Sequence, residues 1–455
     1  MALSKSIPIR ETMRKLFPVA VLVELARASG AVKRLRQVDP AVLFWTVVLG
    51  FGAGRERTLA GLRRAYERSS GKVIEESSFY DRFSPGFATM LKMAVDRALG
   101  DLVGVARRLR GPLTGFRDVI MTDSTVVRLH DRLARQFPGC RTNHTKAALK
   151  AHATMSVAGV GKTSFKVTGE RAHDGPVFEV GKWVKDHLLL FDLGYFRYQL
   201  FACISRNGGY FLTRLKSNAN PTITALHRVH RGRAVPIVGE RLLDVVGRLK
   251  REVLDVEVDV RFKRRAYRGR ARHDVQTLRV VGIRDDQTGR HHLYITNVSP
   301  EKLAAEDIRA TYALRWQIEL LFKELKRHYR IDQMPSRKRE VVEALLYAAI
   351  LTLIVSRRLL ALVRRALRAL ADRVPAQRWA AVLESVSPEL LLVVTRPPRE
   401  VHSVVRRLSA TLLHEAIDPN ASRPGLLQAV EQRRHAYRER YSVGLSARFA
   451  RRNRR

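Results

Sequence analysis

Val119-Ile120-Met121-Thr122-Asp123-Ser124 and Leu188-Leu189-Leu190-Phe191-Asp192-Leu193-Gly194 carry one pattern twice. A continuous apolar run ends on a carboxylate, and turn chemistry follows. Short apolar runs bounded in this way read as buried strands. Strands that are apolar on both faces belong to a sheet covered by helices. An acid at the C-terminal end of such a strand leaves the core and faces the cleft above the sheet, where α/β proteins bind ligands. Asp123 before Ser124 and Asp192 before Gly194 also fit turn or helix-cap chemistry, so the pair alone leaves both readings open.

Outward from these runs, Ala151 to Val157 and Ser164 to Thr168 alternate like paired strands, with Gly159 and Gly161 between them. Phe178 to Lys185 and Tyr195 to Ser205 read as helices, and Tyr210 to Leu215 as a further strand. Strands alternating with helices set the class as α/β. Farther on, Val253, Val256, Val258 and Val260 mark one strand, and Leu278, Val280, Val281 and Ile283 another. The link between them, Lys263 to His273, is dense in arginine. Asp285 to Gly289 is a turn, and His292 to Thr296 leads back. This stretch reads as a β-rich insertion with a basic hairpin.

Both ends of the chain read as helical. Val42, Leu43, Trp45, Val47 and Leu49 belong to a buried helix that Gly50, Gly52 and Gly54 are expected to break. Thr58 opens a basic helix through Arg63, Arg64 and Arg68, and a short helix with Phe79, Tyr80 and Phe83 follows Glu75. A DNA-binding unit of helix-turn-helix type and a plain helical bundle both fit. Ala344 to Val355 reads as a buried helix, too short to span a bilayer. Arginine clusters follow at Arg357, Arg358, Arg364 and Arg365, Pro397 and Pro398 mark a break, and Arg451 to Arg455 form a basic tail. The expected division is a helical DNA-binding domain over 1–105, a core over 106–216 and 298–345, the β-rich insertion over 217–297, and a helical C-terminal domain over 346–455.

A chain of 455 residues exceeds what one compact core usually holds. Lys plus Arg number 84 against 43 Asp plus Glu, so 84 − 43 leaves a formal charge of +41. Such a charge calls for a polyanionic partner. With 45% hydrophobic residues, a length unusual for a membrane peptide or ribosomal protein points to nucleic acid, with no membrane partner. Cys140 and Cys203 are the two cysteines, which excludes a zinc pattern and a disulfide framework. Met1 to Phe17 has no long apolar core, so no secretory signal is expected.

An amphipathic helix is expected from about Ala304 to Tyr329. At about 100° per residue, with Tyr312 at zero, Arg315 falls near ~300°, Glu319 near ~340° and Lys326 near ~320°. Ile318, Leu321, Phe322 and Leu325 form the adjoining core stripe. The polar row therefore flanks the buried face, as a cleft residue on a packed helix should. A solvated ion pair between Arg315 and Glu319 is the plain alternative.

The row Tyr312, Arg315, Glu319, Lys326 has the spacing Y-x2-R-x3-E-x6-K. It resembles the signature of the DDE transposases of bacterial insertion sequences, in the cut-and-paste family named after insertion sequence four. Asp123-Ser124-Thr125-Val126-Val127, Asp192-Leu193-Gly194-Tyr195 and Ala313 to Lys323 are similar to that family as well, in the right order, over roughly residues 115 to 335. The resemblance implies an α/β fold with a ribonuclease-H-like catalytic core, interrupted by a β-rich insertion and flanked by helical N-terminal and C-terminal domains. It implies that Asp123, Asp192 and Glu319 hold two Mg2+ ions, for which Mn2+ can substitute, and that Tyr312, Arg315 and Lys326 hold phosphates of the transposon end. The implied partners are terminal inverted repeats, target DNA and a second copy of the chain in a paired-end homodimer, in the bacterial cytoplasm on nucleoid DNA.

The donor set suits that chemistry, because Mg2+ takes oxygen ligands and often only a few carboxylates. Two such ions activate the attacking oxygen and stabilise the leaving one. In the family the order is nicking, hairpin formation, hairpin opening and strand transfer. Relatives often hold an extruded base with a Trp of the insertion. Here the insertion has none, and Tyr267, His292 and Tyr294 stand near the place. Lys146 and Lys150, with His144, are candidates for flanking DNA or an ordinary basic loop. Two other readings are a nuclease or resolvase of the same core without strand transfer, and a non-catalytic DNA-binding protein derived from a transposase.

Overall fold

The computed structural model of the chain describes residues 7–32, 38–102, 106–140, 146–172, 174–227, 236–267, 270–420 and 425–433. Nine strands among them form one mixed sheet: β1 Asp118–Leu129, β2 Ala147–Ser156, β3 Ser164–Gly169, β4 His187–Leu190, β5 Tyr210–Arg214, β6 Thr222–Leu226, β7 Val253–Tyr267, β8 Arg270–Arg284 and β9 His291–Thr296. Their order across the sheet is β3-β2-β1-β4-β5-β9-β8-β7-β6. Strands β1, β4 and β5 run parallel, and β1-β2-β3 form an antiparallel meander.

The strand through Val119 is longer than its apolar run. Antiparallel pairing with β2 carries β1 on to Leu129, whereas β4 accompanies it only over Asp118 to Met121. Asp123 thus lies in mid-strand, where β1 has just lost its parallel neighbour. The start of β1 is anchored by the buried Asp118 carboxylate. It accepts the Ser156 hydroxyl and the backbone N–H groups of Ala158 (2.8 Å) and Gly161 (2.7 Å), fixing the turn after β2.

Fourteen α-helices are bounded within the described residues, and residues 426–433 are helical as well. Six precede the sheet: α1 Ile9–Leu16, α2 Val19–Ala28, α3 Pro40–Thr46, α4 Leu59–Ser70, α5 Glu76–Tyr80 and α6 Pro85–Ala98. Three lie within it: α7 Asp174–Val177, α8 Tyr198–Arg206 and α9 Leu242–Arg248. Five follow: α10 Ala305–Ala313, α11 Trp316–Arg327, α12 Arg339–Leu367, α13 Ala376–Thr395 and α14 Pro398–Glu415.

Three local expectations need correction. Phe178 to Lys185 is not one helix: α7 ends at Val177 and a single 3-10 turn spans Lys182–Val184. Aromatic packing sets this segment, with the Phe178 ring edge-on to Phe191 at 5.2 Å. The stretch 304–329 is two helices, because the chain tightens at Leu314 and Arg315 into i→i+3 bonds, Gln317 N–H to Leu314 O and Ile318 N–H to Arg315 O. That tightening shifts the phase between Tyr312 and Glu319 from a uniform wheel. Gly50 does not break its helix either, which ends only at Gly52, with Gly54 beyond it in the left-handed region. The coil widens to a π-helix over Val47–Gly52, and Gly50 and Gly52 are buried.

The reason for Gly52 is close approach. A side chain there would stand 2.8 Å from the Ala348 carbonyl and press on Thr352 Oγ1. Helix α12 is the partner, and it also packs on α6, α1 and α13. The terminal segments, expected as two domains, therefore share one core. Helix α12 runs 29 residues, longer than its apolar run suggested. By length and composition it could cross a membrane, yet most of its apolar residues are buried against these neighbours.

The insertion continues the sheet instead of standing apart, because β9 pairs with both β5 and β8. It also braces the chain that leads into α10. The buried Arg279 guanidinium grips both oxygens of Asp255 at 2.7 Å and donates to the carbonyls of Val298 (3.2 Å) and Leu303 (2.7 Å). Such fork geometry is rigid. On the far side, Glu324 of α11, fully buried, pairs with Arg357 of α12 and accepts the Tyr329 hydroxyl at 3.0 Å. Helix α11 is thus fixed at its C-terminal half, and the chain entering α10 is fixed by Arg279.

Candidate active site

The parallel register sets Met121 beside Leu190. Two residues farther along each chain stand Asp123, still within β1, and Asp192, just past the end of β4, so the register of the two strands brings both acids to the same end of the sheet. Helix α11 packs against β1 and brings in Glu319. Its core face is Ile318, Leu321, Phe322 and Leu325, all buried. Glu319 and Lys326, seven residues apart, share the adjoining face, and both are half-buried.

Asp123 Oδ1 accepts its neighbour's N–H, from Ser124, at 2.8 Å. Oδ2 lies 3.6 Å from Arg315 Nη1. The other end of the same guanidinium contacts Glu319. Burial, reinforced by the negative charges of Asp192 and Glu319, pushes the Asp123 carboxyl up to about 6, against the pull of the Ser124 N–H and Arg315. Burial also opposes the charge on Arg315, but Tyr312, Glu319 and Asp192 overcome it and raise its pKa. Arg315 Nε is buried without a hydrogen-bond partner. Among the described residues, no three His, Cys, Asp or Glu side chains form a ready metal centre. The cation between Asp123 and Glu319 is the guanidinium of Arg315.

The other sequence candidates divide. Tyr312 is buried, and its hydroxyl donates to the Phe191 carbonyl at 3.2 Å, tying α10 to the residue before Asp192. Its hydroxyl is thus engaged inside the protein, where a phosphate contact had been expected. Tyr294 is 5% exposed and packs edge-on against Tyr312 at 5.4 Å, so it presents no surface to an extruded base. His292 is half-buried between Arg214 (3.5 Å) and Asp285 (3.7 Å). Lys146 is exposed just before β2. Lys150 donates to the Ala172 carbonyl at 3.1 Å and lies 3.5 Å from Asp174, so its charge is largely answered within the fold. His144, the Tyr267 side chain and the tail 451–455 lie outside the described residues. Trp316, next to Arg315, is 56% exposed.

Asp174 is a carboxylate that the sequence reading did not single out. Burial works to raise its pKa, but the nearby His152 ring, the Ser124 hydroxyl bond and the charge of Lys150 win and hold it at about 2. Nothing local in Ala172-His173-Asp174-Gly175 marks it. Its partners come from strands up to 50 residues away.

Fold and site together define a strongly basic α/β protein with an acidic cluster on neighbouring strands, faced by a helix that carries a third acid and the cation balancing it. Residues 114–355, more than half of the chain, match the family described as the transposase DDE domain, and the chain belongs to that family. It is similar to the transposase for insertion sequence element IS1151 of Clostridium perfringens, 23% identical over 328 residues, covering 66% of this chain and 69% of that protein. It is also similar to the transposase for IS231F of Bacillus thuringiensis subsp. israelensis, 21% identical over 388 residues, covering 76% and 78%. Among solved structures, a piggyBac transposase synaptic complex with hairpin DNA aligns with a TM-score of 0.43 and 9% identity, over 92% of this chain and 87% of that one.

Proposed function

We propose that the chain is a cut-and-paste transposase that binds the ends of its element, cleaves them and joins them to target DNA, with Asp123, Asp192 and Glu319 as the residues that hold its divalent metal. The order β3-β2-β1-β4-β5, with α11 returning to β1, is read as the ribonuclease-H-like core. The observation that carries the proposal is geometric: the Arg315 guanidinium lies between Asp123 (3.6 Å) and Glu319, and the register of β1 and β4 brings Asp192 to the same end of the sheet, although Asp192 and Glu319 lie 69 and 196 residues from Asp123 in the chain. Three acids that repel one another in a half-buried cluster are a costly arrangement unless a cation joins them.

The residues fit a hard divalent cation. They offer carboxylate oxygen alone, which suits Mg2+ or Mn2+, and burial, with the charges of Asp192 and Glu319 adding to it, disfavours the ionised form of Asp123 that a bound cation would favour. Two such ions would supply an activated attacking oxygen and a stabilised leaving oxygen. The chain's own residues do the rest. Arg315 and Lys326 offer a planar fork and a point charge to DNA phosphates. A phosphate that draws Arg315 outward would free the carboxylates it now balances. Tyr312 locks the end of β4 so that Asp192 keeps its place. The excess of basic residues attracts DNA over long range. By the family's pattern the working form is a homodimer on paired ends in the bacterial cytoplasm, and a hairpin joins the two strands of each cut end.

Incubation with duplexes of the element's own terminal sequence and Mg2+, resolved on denaturing gels, separates nick, hairpin and joined products. Asp192→Asn should bind the end and fail to nick it. Nicking by that variant at the wild-type rate would remove Asp192 from the site. A nick without joined product would favour the nuclease reading.

A further inference from the structure

Behind Asp123 the sheet carries a second polar cluster. Strand pairing sets Ser124 opposite His152 and Val126 opposite Lys150. Side chains alternate along a strand, so Ser124, Lys150 and His152 share one face while Asp123 points to the other. Asp174, first residue of α7, belongs to the Ser124 face. Its Oδ1 accepts the Ser124 hydroxyl at 2.7 Å and lies 3.4 Å from His152 Nδ1 and 3.5 Å from Lys150 Nζ. His152 is 6% exposed at its side chain, and its Nε2 is 2.8 Å from Thr168 Oγ1. Its Nδ1 has no nearer partner than Asp174.

Asp174 also reaches the strand that carries the second acid. Helix α7 packs on the turn Leu193–Tyr195 that follows Asp192. Asp174 Oδ2 stands 3.5 Å from where a side chain on Gly194 would begin. Tyr195 of that turn is buried, and the charges of Asp174, Asp123 and Asp192 all act on it. One carboxylate therefore bonds the residue after Asp123 and lies beside the turn after Asp192.

We propose that Asp174 is a positioning residue that sets the spacing of Asp123 and Asp192, acting through the Ser124 hydroxyl on one side and the turn at Leu193–Tyr195 on the other. The inference rests on the assignment of those two acids as metal holders. Asp174 is not itself a ligand in this scheme, because Ser124, His152 and Lys150 already surround its Oδ1. The backbone N–H of Ser124 donates to Asp123 while its hydroxyl donates to Asp174. Releasing the hydroxyl loosens the residue that orients the Asp123 carboxylate. Partners that orient metal-holding groups typically cost 10–100-fold in metal affinity when removed.

The test is a Mn2+ titration of the full chain, with a duplex of the element's terminal sequence present, followed by the electron paramagnetic resonance signal of free Mn2+. Nicking against Mn2+ concentration is measured in parallel. Asp174→Ala and Ser124→Ala should each raise the half-saturating Mn2+ by roughly tenfold or more, with end binding unchanged. The double variant should be no worse than Asp174→Ala alone, since both act on one link. Asp174→Asn keeps an acceptor for Ser124 and should recover part of the loss. Wild-type Mn2+ affinity in a folded Asp174→Ala overturns the inference, and should that variant fail to fold, the same result with Ser124→Ala does so. Absence of both Mn2+ binding and cleavage in the wild type would instead overturn the metal-holding assignment itself.

Discussion

Arg315 Nη1 lies 3.6 Å from Asp123 Oδ2, so the charge that balances Asp123 enters from the N-terminal end of the helix that carries Glu319. The guanidinium contacts Glu319 as well. A group in that position competes with any cation that the carboxylates would hold. Arg315→Ala should therefore bind Mn2+ more tightly than wild type in the absence of DNA, by about tenfold if one charge-assisted contact of ~1.5 kcal/mol is lost. The same variant should bind the element end less well. Calorimetric titration with Mn2+ alone checks the first effect, and unchanged or weaker Mn2+ binding would show that Arg315 does not compete.

Gly52 marks where the N-terminal helices press on α12. A methyl group there would meet the Ala348 carbonyl at 2.8 Å and crowd Thr352 Oγ1, whose hydroxyl donates to the carbonyls of Val48 and Ala348. Backbone on both sides leaves little room to relax. Gly52→Ala should destabilise the chain by roughly 1–3 kcal/mol, the usual cost of overpacking. Gly247→Ala, with open space around it, should not. Thermal melting of the two variants side by side gives the comparison.

What was legible in the sequence follows from the range of each signal. Apolar runs ending in Asp123 and Asp192 are local, and they pointed to strands that the structure places side by side. The spacing from Tyr312 to Lys326 is also local, and it led to the family. The bond from the Tyr312 hydroxyl to the Phe191 carbonyl is not legible in this way, because the two residues lie 121 apart in the chain. Asp174, the Asp255–Arg279 fork and the Glu324–Arg357 pair left no periodic trace for the same reason. Gly50 and Gly52 were read as breakers because glycine usually punctuates a helix. At Gly52, where the helix does end, the need is also close packing against α12, a tertiary cause that a single stretch cannot display.

The excess of 84 basic over 43 acidic residues carries a salt prediction. Neutralising about 6–10 phosphates releases their counterions, which costs roughly 10³–10⁵ in affinity between ~50 and ~200 mM salt. Binding to duplex DNA should fall over a range of that order. Fluorescence anisotropy at several salt concentrations gives the slope, and a flat response would mean that the positive surface does not meet the DNA backbone.

Asp123 links the candidate site to stability, and the sign can be worked out. Its carboxyl titrates near 6 in the folded chain, with 3.8 as its ordinary value. Between those values the folded state holds more protons than the unfolded one, so stability falls as pH rises through this window. Above pH 6 the ionised carboxylate burdens the fold. About two pKa units at ~1.4 kcal/mol each amount to roughly 2–3 kcal/mol. Asp123→Asn removes that burden while keeping the side chain's size. The variant should melt a few degrees higher than wild type at pH 7.5 without divalent metal, and the gap should close below about pH 4. Mg2+ should narrow it from the other direction, by stabilising only the wild type. Differential scanning calorimetry at the two pH values decides the matter: a variant less stable than wild type at pH 7.5 would mean that Asp123 contributes more through its bond to Ser124 and its contact with Arg315 than its buried charge costs.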